Sequence, residues 1–127
     1  MFAGFLVATL GAGCVTPGGG GTELFNGKNL DGWEVTDFAG GGAIKVKDGE
    51  IHMAMGELIS GINLAHENIP RTNYELEAEA MKLDGNDFFC GLTFPVGDTF
   101  ASFIPGGWGG TVVGLSSIDG MDAAENE

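Results

Sequence analysis

The stretch Ile44-Lys45-Val46-Lys47-Asp48-Gly49-Glu50-Ile51-His52-Met53 decides the fold class. Apolar and polar side chains alternate on both sides of Asp48-Gly49, a dipeptide that tolerates positive φ and closes a two-residue hairpin. Alternation places Ile44, Val46, Ile51 and Met53 on one face and Lys45, Lys47, Glu50 and His52 on the other. The same pattern extends outward. Leu58 to Leu64 reads as a further strand containing Gly61. Asn73 to Leu83 (NYELEAEAMKL) carries helix formers, but Tyr74, Leu76, Ala78 and Ala80 alternate with Glu75, Glu77 and Glu79, and period two predicts a strand. Phe88 to Phe94 is expected to be a buried strand, followed by Thr99 to Ile104 and Thr111 to Leu115. Asn26-Gly27, Asp31-Gly32, Asp84 to Asp87 and Pro95 to Asp98 supply turns, and Pro105 to Gly110 a glycine-rich loop. From Asp119 the chain reads as acidic and featureless. The expected class is all-β, a sandwich or jelly roll.

The length of 127 residues suits one domain. Five Lys and Arg against 18 Asp and Glu give a net charge of −13. That excess repels polyphosphate and anionic lipid, so neither nucleic acid nor a bare membrane surface is an expected partner. Hydrophobic residues make up 43%, enough for a core. The 24 glycines show no Gly-X-Y period, which excludes collagen. Cys14 and Cys90 are too few for a disulfide scaffold and form no CxxC motif. Cys90, within Phe88-Phe89-Cys90-Gly91-Leu92, reads as a buried, inert thiol.

Residues 1–21 read as an address and a tether. Met1 to Val15 is apolar apart from Thr9 and ends in small residues before Cys14, as an export leader does. Leu10-Gly11-Ala12-Gly13-Cys14 fits two alternatives: a lipoprotein box with Cys14 lipidated, or a plain secretion signal. Thr16 to Gly21 makes the flexible spacer. Residues 22–127 form the β-sandwich domain. No closing strand follows Leu115, so the domain is expected to be incomplete at its C-terminus.

Leu24-Phe25-Asn26-Gly27-Lys28-Asn29-Leu30-Asp31-Gly32-Trp33 resembles the opening signature of the 3-keto-disaccharide hydrolase domain, whose members are described as 3-keto-glucoside lyases and 3-keto-glucal hydratases. Ile44 to Ile51 is similar to that family's W-x-V-x-DG-x-L hairpin, with Ile44 at the tryptophan. Glu57 to Ser60 is similar to its next strand, and Tyr74 to Glu79 resembles its F-E-L-x-x-E segment. The resemblance spans Thr22 to about Phe94; Phe100 to Glu127 departs from the family pattern. It implies a concanavalin A-like jelly roll, export and a sugar substrate.

The implied chemistry sets the residue types. A 3-keto group acidifies the C2 proton; a base removes it, the C1 oxygen leaves, and water adds across the resulting double bond. Such a site needs a base, an enolate stabiliser and an acid. Glu77 and Glu79 stand on one strand face at a spacing of about 6.6 Å, and Glu79 also falls on the family's glutamate. With Asp87 they are the catalytic candidates; the same carboxylates equally suit a solvated strand face. Trp108, between glycines, is either a platform for a sugar ring or a plug at one end of the sandwich. His52 and Asn86 are further substrate-binding candidates. A divalent cation would suit the enolate, and Asp84, Asn86 and Asp87 are its nearest approach to a ligand loop, but no metal motif is present. The expectation is an exported protein, at the cell surface, in the periplasm or secreted, that cleaves 3-keto-glycosides. The alternative is a non-catalytic carbohydrate-binding module. The partner is a small-molecule or oligosaccharide substrate, with membrane contact only through a lipid on Cys14.

Overall fold

The computed structural model describes residues 2–3, 9–12, 21–66, 68–85 and 88–126. No helix occurs among them. The strands are β1 (Phe2–Ala3), β2 (Thr9–Ala12), β3 (Thr22–Glu23), β4 (Trp33–Val35), β5 (Ile44–Lys47), β6 (Glu50–Met53), β7 (Ile62–Leu64), β8 (Tyr74–Glu77), β9 (Leu92–Val96), β10 (Thr99–Gly107) and β11 (Val112–Ser116). All pairings are antiparallel, which bears out the all-β expectation. They build small sheets in the orders β1-β6-β5, β11-β10-β9, β3-β2-β8 and β4-β7. The chain divides into two compact units, one of residues 1–69 and 73–85, the other of residues 70–72 and 86–127.

In the first unit the hairpin forms as its alternation dictates. Asp48 and Gly49 take φ of 54° and 80°, the paired left-handed conformation of a type I′ turn. Lys47 then faces Glu50, Val46 faces Ile51, Lys45 faces His52 and Ile44 faces Met53. β6 is the central strand of its sheet, and Ile51 is 0% exposed. The 24–33 segment is tied by its own polar groups. Asn26 Oδ1 accepts from the N–H groups of Lys28 and Asn29 at 2.8 and 2.9 Å. The Trp33 indole donates to Leu24 O at 2.8 Å, which brings the two ends of the loop together over buried Phe25.

In the second unit β10 is central. Its register shifts between Pro105 and Gly107, where Gly106 sits at φ 99°, so the strand bulges there. Arg71 donates through Nε to Gly97 O and lays its guanidinium 5.0 Å from the Phe100 ring centre, clamping the β9–β10 turn.

Four expectations are corrected. The 73–83 strand ends at Glu77; among the described residues β2 pairs with Tyr74 to Glu77. The strand expected over 88–94 begins at Leu92; Phe88 instead packs its ring against Gly91 and Gly107, and Phe89 N–H bonds to Gly106 O at 2.9 Å. Pro95, expected in a turn, is buried within β9 and leaves the turn to Gly97-Asp98. The segment after Asp119 is not featureless. Asp122 Oδ1 accepts from Ala124 N–H at 2.7 Å and Glu125 Oε2 from Asp122 N–H at 3.0 Å, a reciprocal cap that holds Ala123 buried against Gly114.

These packing differences set a stability test. Ile51→Ala should cost about 2–5 kcal/mol of unfolding free energy in urea titration, as a core truncation does. Val113→Ala, at a residue 67% exposed, should stay within about 0.5 kcal/mol of the parent.

Candidate functional site

Glu77 ends β8 and Glu79 lies two residues beyond it; both are exposed, and among the described residues neither carboxylate has a hydrogen-bond or ion-pair partner. His52 is on β6, on the face shared with Lys45, Lys47 and Glu50. Trp108 belongs to the second unit, where it is exposed at the tip of the β10–β11 hairpin with φ 48°. A positive φ on a tryptophan is sterically costly and persists only where the surrounding turn imposes it. Here the next two residues, Gly109 and Gly110, are also left-handed, so the whole tip has that twist. Cys14, Asn86 and Asp87 lie outside the described residues, as do residues 13–20 of the leader and tether.

The hairpin's polar face holds a pair that the sequence reading did not single out. His52 Nε2 stands 3.0 Å from Glu50 Oε2, with both side chains partly buried. The contact meets the distance for an ion pair but not the direction of a hydrogen bond, and Nε2 is buried without a hydrogen-bond partner. Direction decides between the two descriptions, because a misaligned N–H and oxygen gain little. The pair is therefore an electrostatic contact whose strength depends on protonation of the imidazole. Its signal in the sequence was the i, i+2 spacing of Glu50 and His52 on one strand.

The opposite side of the first unit's chemistry is a cavity of about 230 Å³. It is lined by the 35–38 segment, Gly41, Gly42, Ile44, Ser60 and Gly61. Ile44 belongs to the apolar hairpin face, so the cavity and the His52–Glu50 pair lie on opposite faces of the same strands. The walls are fixed by hydrogen bonds. Thr36 N–H bonds to Gly61 O at 3.0 Å, and Gly41 N–H to Phe38 O at 2.8 Å. Ser60 Oγ accepts from Gly42 N–H at 2.8 Å and donates to Ala54 O at 2.7 Å. Glycine is required at this seam, since a Cβ on Gly42 would stand 2.2 Å from Ala54 O. Asp37 and the Thr36 hydroxyl have no hydrogen-bond or ion-pair partner among the described residues. Phe38 keeps part of its ring exposed while resting its edge against Gly61.

Titratable groups elsewhere add little chemistry. Cys90, expected to be buried, is only half-buried, and that partial burial pushes its thiol above its ordinary value. Gly85 N–H donates to Asp84 Oδ1 at 2.7 Å and holds that carboxyl below its ordinary value. Among the described residues no three His, Cys, Asp or Glu side chains converge as metal ligands.

Small antiparallel sheets, glycine-shaped turns and uncommitted carboxylates define an all-β protein with a cavity beside its central hairpin. Residues 20–113 match the 3-keto-alpha-glucoside-1,2-lyase-like domain, and the chain belongs to that family. The matched span contains the 24–33 loop, the hairpin, the cavity, Glu77, Glu79 and Trp108. Comparison with curated proteins and with solved structures yields no significant match.

Ser60 generates a prediction. Ser60→Ala strands the Gly42 N–H, in the cavity wall, and the Ala54 carbonyl. It should cost about 1–3 kcal/mol in chemical denaturation, and Ser60→Thr, which keeps the hydroxyl, should recover part of the loss.

Proposed function

We propose that the protein is an exported, carbohydrate-active enzyme that cleaves or hydrates 3-keto-glycosides by base-assisted elimination. Family membership across residues 20–113 is the observation that carries this reading. The base takes the C2 proton and the electron pair forms the C1–C2 double bond. The C1–O bond breaks, and an acid protonates the departing alcohol. Water then adds its oxygen to C1 and a proton to C2, leaving a free 3-keto-sugar. Glu79 and Asp87 are assigned as the acid–base carboxylates, with Glu77 supporting them. Trp108 offers its exposed indole to the apolar face of a sugar, with His52 and Asn86 as polar contacts. The two facing layers of a concanavalin A-like jelly roll belong to this reading, as does the assignment of residues 1–21 to a leader and tether.

The enzymatic reading is tested by incubating the full chain with a 3-keto-glucoside and following release of the alcohol. Turnover should fall by about 10²-fold or more in Glu79→Gln, the loss expected of a general acid–base residue. Absence of turnover in the parent chain, with retained binding of the glycoside, would favour a non-catalytic carbohydrate-binding module. Export has its own measurement. Mass spectrometry of the protein from cell fractions should find an N-terminus processed at or near Cys14, with added acyl mass if Cys14 is lipidated. An intact Met1 in the cytosolic fraction contradicts export.

A further inference from the structure

We infer that the cavity beside the hairpin is a binding subsite for a single neutral pyranose ring, held by Asp37, Thr36 and Phe38. The inference deepens the carbohydrate reading above and rests on it for the ligand class, but not on the 3-keto chemistry. Three observations support it. The first is size. A cavity of about 230 Å³ is smaller than a drug-sized site of about 300–1,000 Å³ and suits one ring. The second is the set of free polar groups. Asp37 and Thr36 are lining residues whose carboxylate and hydroxyl have no partners among the described residues, whereas the Ser60 hydroxyl is fully committed to Gly42 and Ala54. A carboxylate has two oxygens and accepts hydrogen bonds from adjacent hydroxyls of one ring; a hydroxyl both donates and accepts. The third is the apolar counterpart. Val35, Phe38 and Ile44 are also lining residues, and apolar side chains of this kind suit the C–H face of a pyranose.

Charge narrows the ligand further. The free carboxylate and a net charge of −13 oppose an anionic sugar such as a phosphate ester or a uronate. No second and third acidic or imidazole ligand joins Asp37 among the described residues, which leaves a metal ion without a coordination shell. The walls are also set before any ligand arrives. Gly42, Ser60 and Ala54 form a continuous hydrogen-bonded seam, and the Phe38 ring lies against Gly61, where a Cβ would come within 3.0 Å of it. Binding to such a cavity avoids the ordering cost of a mobile loop.

The test titrates the full chain with methyl α-D-glucopyranoside, an unoxidised single ring, and reads binding by calorimetry and by amide shifts in NMR. The shifts should centre on residues 35–42 and 60–61. Asp37→Asn and Phe38→Ala should each weaken binding about tenfold or more, which is about 1.4 kcal/mol, with unfolding midpoints near the parent's because both side chains are exposed. Asp98→Asn, the same charge change on an exposed carboxylate of the second unit, should leave affinity unchanged. The inference fails if the pyranoside does not bind or if Asp37→Asn binds as tightly as the parent. It also fails if the shifts centre on Trp108, or if an alkylammonium ion binds while the pyranoside does not. Pyranoside binding without 3-keto-glucoside turnover would sustain the subsite and overturn the enzymatic reading. Turnover without any pyranoside binding would do the reverse.

Discussion

Asp48 and Gly49 hold left-handed backbone side by side, and the order of the first unit follows from that constraint. A type I′ turn has the twist that antiparallel strands prefer, so it closes the hairpin without slack and fixes one register. With that register, Ile51 goes fully into the interior and Ile44 to the cavity wall, while His52 meets Glu50 on the other face. A one-residue slip of β6 against β5 would turn Ile51 to the other face and carry Glu50 and His52 across with it, because the side-chain period is two. The polar pair and the apolar wall are thus separated by local turn chemistry rather than by distant packing.

Elements governed by such local rules were legible in the sequence. The hairpin was readable to the residue, since alternation and turn dipeptide agree. The 24–33 loop was readable as turns, and its Asn26 and Trp33 bonds supply the physical reason for that composition. The cap formed by Asp122 and Glu125 had a sequence signal too, an acidic residue followed three places later by a glutamate, but the surrounding acidity masked it.

Features that depend on what a segment meets were less legible. Tyr74 to Leu83 alternates throughout, yet among the described residues its strand covers Tyr74 to Glu77, paired with β2. Phe88 to Gly91 is apolar enough for a strand, but Phe88 and Phe89 lie against Gly91, Gly106 and Gly107 instead of joining a ladder. The cavity was the least visible feature. Thr36 to Gly42 has no periodicity, and the bond that shapes it joins Gly42 to a serine 18 residues away. The run Gly40-Gly41-Gly42 beside Asp37-Phe38 was the available clue: glycines allow backbone to approach backbone, and the seam with Ala54 needs that approach. Of the carboxylates read as catalytic, Glu77 and Glu79 are free and exposed, as a strand face would leave them.

The register of the central hairpin is the point on which this account turns, and proton NMR reads it directly. A strong cross-strand contact between the α-protons of Val46 and Ile51 is the predicted result, as for residues directly opposed in an antiparallel pair. A contact from the Val46 α-proton to that of Glu50 or His52 would show a slipped ladder. In that case Ile51 and the histidine–glutamate pair would both have been assigned to the wrong face relative to Ile44.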